Sequence, residues 1–247
     1  MQKQLLMKSL YSVLLVLAAL PAISQTTVVT RDLEVWSALG LETKLHDNFK
    51  LSMNQEFRLW QNAQQVDQYF TEVAGKYYAF DKHLRFGLGY RYIRDNNVEN
   101  GYQNEQRWAL DAEYRHKVNR LTLGYRLRST NRNDVGETTA EGDVPNKNLR
   151  LRLYSKYNIN NWKLDPYASV ELFRQYESGT DPFYRKLRFT VGTSKKVVPG
   201  GTLRGFYRVE RDWSEALPNT TGIVGIGFTY KLNQLFKTPS APAPAGN

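Results

Sequence analysis

Apolar and polar residues alternate along most of this chain. In the segment from Leu84 to Tyr92, every second residue is apolar, and arginine or glycine lies between. A period of two places the two sets on opposite faces of a β-strand. The alternating segments are about a dozen residues long, whereas strands of soluble proteins average about 5 or 6 residues and tilted bilayer strands need about 9 to 11. The pattern therefore predicts an all-β protein that forms a single antiparallel up-and-down transmembrane β-barrel.

The alternation defines eleven strands joined by connections that are alternately short and longer. Bacterial barrels have an even number of strands, so the stretch Thr26–Arg31, rich in Thr and Val, is the candidate for a missing one. We therefore expect about 12 strands, with 10 as the second choice. The predicted strands are 32–45, 49–60, 67–80, 84–94, 102–118, 121–131, 148–159, 162–176, 183–195, 202–213 and 220–232.

Both ends of the chain are expected to lie outside the barrel. Two lysines, an apolar run from Leu10 to Leu20 and the small residues that follow are typical of a cleaved signal peptide over 1–24. Residues 25–237 would form the barrel, and the Pro/Ala-rich tail at 238–247 would be disordered. These features predict an exported protein in the outer membrane of a Gram-negative bacterium.

Aromatic residues fall near the ends of the predicted strands. Rings such as Phe49, Tyr77 and Trp162 lie toward the short turns, and rings such as Tyr69, Tyr102 and Trp213 lie toward the longer loops. Two aromatic belts of this kind bracket the lipid-facing band of a membrane barrel. A soluble sandwich is the alternative, but it would not sort aromatic residues toward both strand ends. The predicted partners are therefore outer-membrane lipids and, during insertion, the barrel-assembly machinery.

Charged residues fall on the inward face and oppose each other across the short turns. The expected pairs are Glu72 with Arg91, Asp111 with Arg128, Glu113 with Arg126, Arg150 with Glu171, Lys156 with Asp165, and Arg188 with Glu210. A register slip of one residue would turn these charges toward lipid, where Arg or Lys at mid-bilayer costs roughly 2 to 4 kcal/mol. The same face also carries arginines without an assigned partner: Arg85, Arg107, Arg152, Arg204 and Arg208.

The inward charges have two interpretations. They can brace a narrow lumen that is closed by side chains, or they can line a water-filled passage in which surplus arginine favours a small anionic solute. The long connection Arg132–Lys147 could cap this basic interior or remain in solvent.

A second cluster at the mouth places Trp36 opposite Arg58 and Glu34 opposite Trp60, where two indoles beside a guanidinium could stack on a sugar or another flat ligand. A packed rim is the alternative interpretation of that cluster.

Other chemistry receives little support from the sequence. The three histidines, His46, His83 and His116, lie in or near short turns, and no serine stands beside them as a recognisable nucleophile. The chain has no cysteine, so thiolate chemistry is excluded and neither a metal site nor a cofactor is predicted. The net charge of +10 is spread over alternate strand positions, which disfavours nucleic acid as a partner. We expect no catalytic residues.

The order of several motifs resembles an uncharacterised family. Leu33–Leu45 contains Trp36, the next strand carries the run Gln55–Arg58, and Leu84–Arg91 reads Leu-Arg-Phe-Gly-Leu-Gly-Tyr-Arg. This order resembles the outer-membrane family filed as domain of unknown function 2490, over nearly the whole mature chain. The resemblance implies an outer-membrane barrel but no activity and no site residues. Gly227, Tyr230 and Leu232 also resemble the C-terminal signal read by the barrel-assembly machinery.

The sequence therefore predicts an outer-membrane barrel that is a narrow channel or a ligand-binding barrel with a salt-bridged basic lumen. The alternatives are a plugged structural barrel without transport and, less favoured, a lipid-modifying enzyme.

Overall fold

A computed structural model describes residues 31–97, 101–137, 145–160, 163–176, 183–213 and 219–234. Within these ranges, eleven strands form one closed barrel. The strands are β1 Arg31–His46, β2 Phe49–Trp60, β3 Gln65–Ala79, β4 Leu84–Asn97, β5 Gly101–Val118, β6 Leu121–Asp134, β7 Asn146–Tyr157, β8 Asp165–Tyr176, β9 Phe183–Val198, β10 Gly201–Asp212 and β11 Asn219–Lys231, followed by a 3₁₀ turn at Leu232–Gln234.

The barrel is closed by a parallel pair of strands. Every sequential pair from β1/β2 to β10/β11 is antiparallel, but β1 and β11 run side by side from Arg31↔Thr220 to Glu42↔Lys231. Asn233 extends this seam, since its side-chain oxygen accepts a hydrogen bond from the Lys44 amide at 2.5 Å and its Nδ2 donates to the Lys44 carbonyl at 3.1 Å.

The predicted counts of twelve or ten strands are therefore wrong for the described chain. The even-number argument assumes that the closing pair is antiparallel, and a parallel seam removes that constraint. Arg31 begins β1, while residues 26–30, proposed as part of a further strand, lie outside the described residues. The predicted signal peptide and the predicted tail also lie outside them. Among the described residues, no helix is long and apolar enough to span a membrane.

The two ends of the barrel differ in their connections. One end, which we call the short-turn end, carries the two-residue links at 47–48, 119–120 and 199–200, and the other end carries the longer connection between β6 and β7. Strand bounds deviate by at most three residues from the sequence-based prediction. The largest consequence lies between β7 and β8, where the link spans 158–164 and replaces the expected tight turn at 160–161.

The outer face of the barrel is apolar and exposed. Large side chains at outward positions remain open to the surroundings, for example Leu39 at 65%, Leu110 at 62% and Ile226 at 54%. Exposed rings lie toward both strand ends, including Tyr77, Tyr114 and Tyr157 at the short-turn end and Tyr69, Tyr102 and Trp213 at the other. Trp162 lies outside the described residues. Soluble monomers rarely expose a contiguous apolar surface of this extent.

Candidate functional site: the charged lumen

The inward positions of the strands carry the charges that the alternation predicts. Antiparallel register sets Glu72 opposite Arg91, Asp111 opposite Arg128, Glu113 opposite Arg126 and Arg188 opposite Glu210, so these four predictions are confirmed. The other two predicted registers, across β7 and β8, are wrong by two residues. Arg150 lies opposite Phe173, Arg152 lies opposite Glu171, and Lys156 lies opposite Tyr167. The seven-residue connection between these strands shifts the pairing relative to a tight turn.

Ion pairs within the lumen do not all follow the opposed register. Arg91 contacts Glu72 at 2.7 Å, and Asp111 takes two hydrogen bonds from Arg128 at 2.5 and 2.7 Å. Lys156 still reaches Asp165 at 3.1 Å despite the shifted register. Bidentate arginine–carboxylate contacts such as that of Arg128 are directional as well as strong.

Glu113 and Arg126, predicted as partners, instead contact other residues. Glu113 is paired with Arg85, contacts Arg115 at 3.4 Å and accepts a hydrogen bond from the Tyr154 hydroxyl at 3.0 Å. Arg126 reaches across to Glu171 at 2.9 Å. Arg85 lies directly opposite Glu113 across β4 and β5, whereas Arg126 and Glu171 lie on β6 and β8, which β7 separates. Neither contact joins strands across a short turn, so pairing the strands by their short turns could not identify them.

Arginines from several strands meet at mid-height in the lumen. Arg91 lies opposite Arg107, and Arg128 lies opposite Arg150. The guanidinium carbons of Arg58, Arg208 and Arg188 lie 3.6, 4.6 and 5.8 Å from the centre of the Trp36 ring. We call this set the arginine layer: Arg58, Arg91, Arg107, Arg128, Arg150, Arg188 and Arg208. Like charges that face one another in this way require compensation from acids, aromatic faces or anions.

Aromatic rings separate the guanidinium groups of the arginine layer. The Arg91 guanidinium carbon lies 3.4 Å from the centre of the Phe70 ring, and that of Arg58 lies 3.6 Å from the centre of the Trp36 ring. Arg150 and Arg188 both lie 4.7 Å from Phe173. Cation–π contacts are worth about 2 kcal/mol or more when they are desolvated. Only 2% of Phe70 is exposed, so the rings and guanidinium groups are packed together.

Some of these cations lack a carboxylate partner. Across the described residues, no carboxylate oxygen lies within 4 Å of the guanidinium groups of Arg150, Arg152, Arg204 or Arg208. Arg208 donates to Thr190 at 3.0 Å and Arg152 donates to Ser169 at 3.2 Å. The Nε of Arg150 and the Nη1 of Arg208 are buried without a hydrogen-bond acceptor. A buried donor without an acceptor is costly and indicates a place for water or an anion.

The cluster predicted at the mouth has a different environment from the one expected. Trp36 does lie opposite Arg58, but its indole is covered by Arg58 and approached edge-on by Phe206 at 6.4 Å. Its Nε1 donates to Glu34 at 2.6 Å, and only 7% of the residue is exposed. Protein groups therefore occupy the ring that a flat ligand would need. Trp60 is half-buried, and its Nε1 is buried without a hydrogen-bond partner.

The three histidines have no arrangement suited to acid–base catalysis. His83 Nδ1 lies 3.0 Å from the Arg115 carbonyl oxygen, and its ring lies 6.3 Å from that of Tyr114. The Nδ1 of His46 accepts a long contact from the Asn48 amide at 3.5 Å. His116 is exposed on the outer alternation of β5. In the described part of the chain, no group of three or more metal-ligating side chains comes together.

The chain belongs to the family described as protein of unknown function (DUF2490), whose match covers residues 33–220. The sequence thus defines a class of barrel without an assigned activity. No curated protein sequence matches the chain at a significant level.

Two solved barrels are similar at low identity. The β domain of the Bordetella autotransporter BrkA is 13% identical, with a TM-score of 0.49 over 76% of this chain and 85% of that one. The KdgM porin is 17% identical, with a TM-score of 0.41 over 70% of this chain and 81% of that one. Neither similarity transfers a residue role to this protein.

Proposed function

We propose that this protein is an integral outer-membrane β-barrel whose lumen forms a narrow, anion-preferring passage. Its exposed apolar belt and aromatic strand ends support membrane insertion, because water would disfavour both. By the usual arrangement of bacterial barrels, the short turns would face the periplasm.

The observation that carries the passage is the unpaired part of the arginine layer. Arg150 and Arg208 hold buried N–H groups without acceptors, although both lie in a lumen otherwise rich in ion pairs. Rings of basic side chains select anions in pores by lowering their energy along the path. An anion or an ordered water at this height would satisfy the donors that the protein itself leaves open.

A second candidate is a structural barrel whose lumen is closed. Phe70 is 2% exposed, and Ile93 and Ile223 are completely buried, which supports tight packing at mid-height. The two candidates differ in whether solutes cross the arginine layer, and they make opposite predictions for conductance.

Planar-bilayer recording of the refolded protein tests this proposal. We expect small, steady conductance steps and a reversal potential across a salt gradient that indicates anion preference. The double variant Arg150→Gln with Arg208→Gln should lower that preference, whereas Arg211→Gln, at an exposed position of β10, should not. A folded barrel that stays silent would overturn the passage and leave the structural barrel.

A further inference from the structure

The short-turn end of the barrel contains a basic cavity separate from the arginine layer. Its volume is about 600 Å³, and we call it the basic bowl. Its cationic lining residues are Lys44, Lys50, Lys82, Arg115 and Lys117, its acidic ones are Asp47 and Asp81, and Tyr78, His83 and Thr122 complete the wall. Five cations therefore face two carboxylates around a space of the size that holds small-molecule ligands.

Most of the cations in the bowl are not neutralised by the protein. Lys44 pairs with Asp47 at 2.5 Å, and Arg115 lies 3.4 Å from Glu113 below the bowl. Across the described residues, no carboxylate oxygen lies within 4 Å of the amines of Lys50 or Lys82, and the same holds for Lys117.

The floor of the bowl adds a guanidinium group. The Nε of Arg115 is buried and lies 3.4 Å from the Glu113 carboxylate without forming a hydrogen bond. The guanidinium of Arg115 and the amine of Lys50 each lie 5.5 Å from the centre of the Tyr78 ring. Both cations therefore approach the same ring, and an anion beside Tyr78 would be attracted by both.

Another turn of the barrel shows how three consecutive left-handed residues can bind a carboxylate. In the link between β2 and β3, Gln61, Asn62 and Ala63 have left-handed φ values of 50°, 57° and 63°. The amides of Gln61 and Asn62 donate to the Asp32 carboxylate at 3.1 and 2.8 Å. Successive amides of such turns form concave sites for anionic oxygens.

The link between β3 and β4 has the same run of three left-handed φ values, but no carboxylate of the described residues is bound to its amides. Phe80, Asp81 and Lys82 have φ values of 49°, 51° and 68°. His83 fixes the turn, since its amide donates to the Phe80 carbonyl at 2.9 Å and its carbonyl accepts from the Arg115 amide at 2.8 Å. Among the described residues, no acceptor contacts the amides of Phe80 and Asp81, which correspond to Gln61 and Asn62. Three consecutive left-handed residues other than glycine are strained, and such strain is characteristic of binding sites.

We propose that the basic bowl binds a phosphate group, either free or carried by a small organic molecule or a lipid headgroup. A phosphate offers a double charge and several acceptor oxygens, which suits compact lysine amines better than a singly charged ion does. The cavity exceeds the size of inorganic phosphate, so it has space for an organic portion beside Tyr78. This site does not depend on conduction through the arginine layer, because the ligand need not cross the barrel.

Binding of inorganic phosphate to the refolded protein in nanodiscs of neutral lipid tests the proposal. We expect calorimetric binding and a raised unfolding temperature in phosphate relative to chloride at equal ionic strength. The variant Lys50→Gln with Lys117→Gln should weaken binding by about tenfold or more, which corresponds to the loss of about 1.4 kcal/mol. The matched control is Lys195→Gln with Lys196→Gln, which removes the same charge from exposed positions of β9 at the same end. Equal weakening in both variants, or no binding to the unmodified protein, would overturn the site.

A substitution at the rim should change the phosphate affinity in the opposite direction. Asp81→Asn removes one of the two carboxylates in the bowl, so we expect phosphate affinity to rise several-fold while folding is retained. Unchanged affinity would contradict a phosphate site at this turn. If the lysines had only a structural role, Asp81→Asn would not raise the phosphate affinity.

Experiments on the same protein can distinguish a soluble phosphate ester from a lipid headgroup as the ligand. Glycerol 3-phosphate should displace inorganic phosphate if the ligand is a soluble ester. Anionic phosphatidylglycerol in the disc should do so, in the absence of added ester, if the ligand is a headgroup. Displacement by neither would overturn the organic part of the proposal. Conductance recorded on the bowl variants distinguishes failure of this site from failure of the passage.

Discussion

The arginine layer and the basic bowl both carry positive charge, but they differ in how the protein compensates that charge. In the arginine layer, guanidinium groups are packed between aromatic rings and shared carboxylates, as Arg188 is between Glu171 at 3.3 Å and Glu210 at 2.5 Å. In the bowl, lysine amines face an open cavity with few acids. Planar guanidinium groups suit buried stacking, whereas ammonium groups keep their hydration. The protein therefore compensates most of the charge in the layer, apart from the open donors of Arg150 and Arg208, whereas most of the charge in the bowl is left for a ligand.

The largest expected effect concerns the acid shared by two arginines. Glu171→Gln removes the partner of both Arg126 and Arg188, and Glu171 is only 5% exposed. Removing one partner of a buried pair leaves uncompensated charge, so we expect a loss of about 3 to 5 kcal/mol in the free energy of unfolding. Urea unfolding of the vesicle-inserted barrel measures it.

Glu137→Gln, at an exposed position after β6, is the control for that measurement. A loss as small as that of the control would mean that the layer is solvated like the bowl, which would remove the contrast between the two regions.

A smaller effect is expected where a glycine accommodates a ring. Gly124 lies opposite Tyr154, and a Cβ at this position would overlap the tyrosine ring. The alanine variant would displace the Tyr154 hydroxyl from Glu113, at a cost of roughly 1 to 3 kcal/mol for overpacking. Gly205→Ala is the control, because no atom lies within 4 Å of its added Cβ. Equal unfolding energies for the two variants would show that the lumen is not packed at this position.

The sequence specifies most of the barrel because its period of two must agree with the strand pairing. Charges such as Asp111 and Arg128 cannot face lipid, which fixes the inward face of β5 and β6, and the two-residue link at 119–120 fixes their register. The parallel seam between β1 and β11 could not be predicted in this way, because it joins segments at opposite ends of the chain. The register of β7 against β8 was missed for a local reason, since it depends on a connection whose length the alternation does not determine.

The functional clusters were less accessible to sequence analysis. Lys44, Lys82 and Lys117 lie on different elements and come together only through barrel curvature. The consecutive left-handed turn at 80–82 contains no glycine and so has no sequence signature. Asp81 in that turn and the mix of polar residues around it were nevertheless visible, and a comparison of short turns could have singled them out.

The true partners of Glu113 allow a sharper test of the lumen. Double-mutant cycles should show coupling of about 0.5 to 3 kcal/mol between Arg85 and Glu113, which form an ion pair. Coupling between Glu113 and Arg126 should be weaker, because Arg126 contacts Glu171 although it lies opposite Glu113. Unfolding energies of the single and double alanine variants measure both values. Arg85 and Arg126 both lie opposite Glu113, on the two neighbouring strands. The reverse order of coupling would mean that Glu113 pairs with β6 rather than with β4.

The smallest effect is expected at the solvated rim of the bowl. The hydrogen bond and charge of Lys44 hold the pKa of Asp47 below its ordinary value of 3.8, and both side chains are exposed. A carboxyl with a lowered folded pKa contributes stability above its ordinary pKa, and that stability is lost as the pH falls through the folded pKa. Asp47→Asn should therefore differ slightly from the unmodified protein near neutral pH, with the two converging in acid. Added salt should abolish the difference, since exposed pairs are screened. If the difference persists at high salt, the rim is as desolvated as the arginine layer, and the lysines of the bowl lack the hydration that distinguishes them.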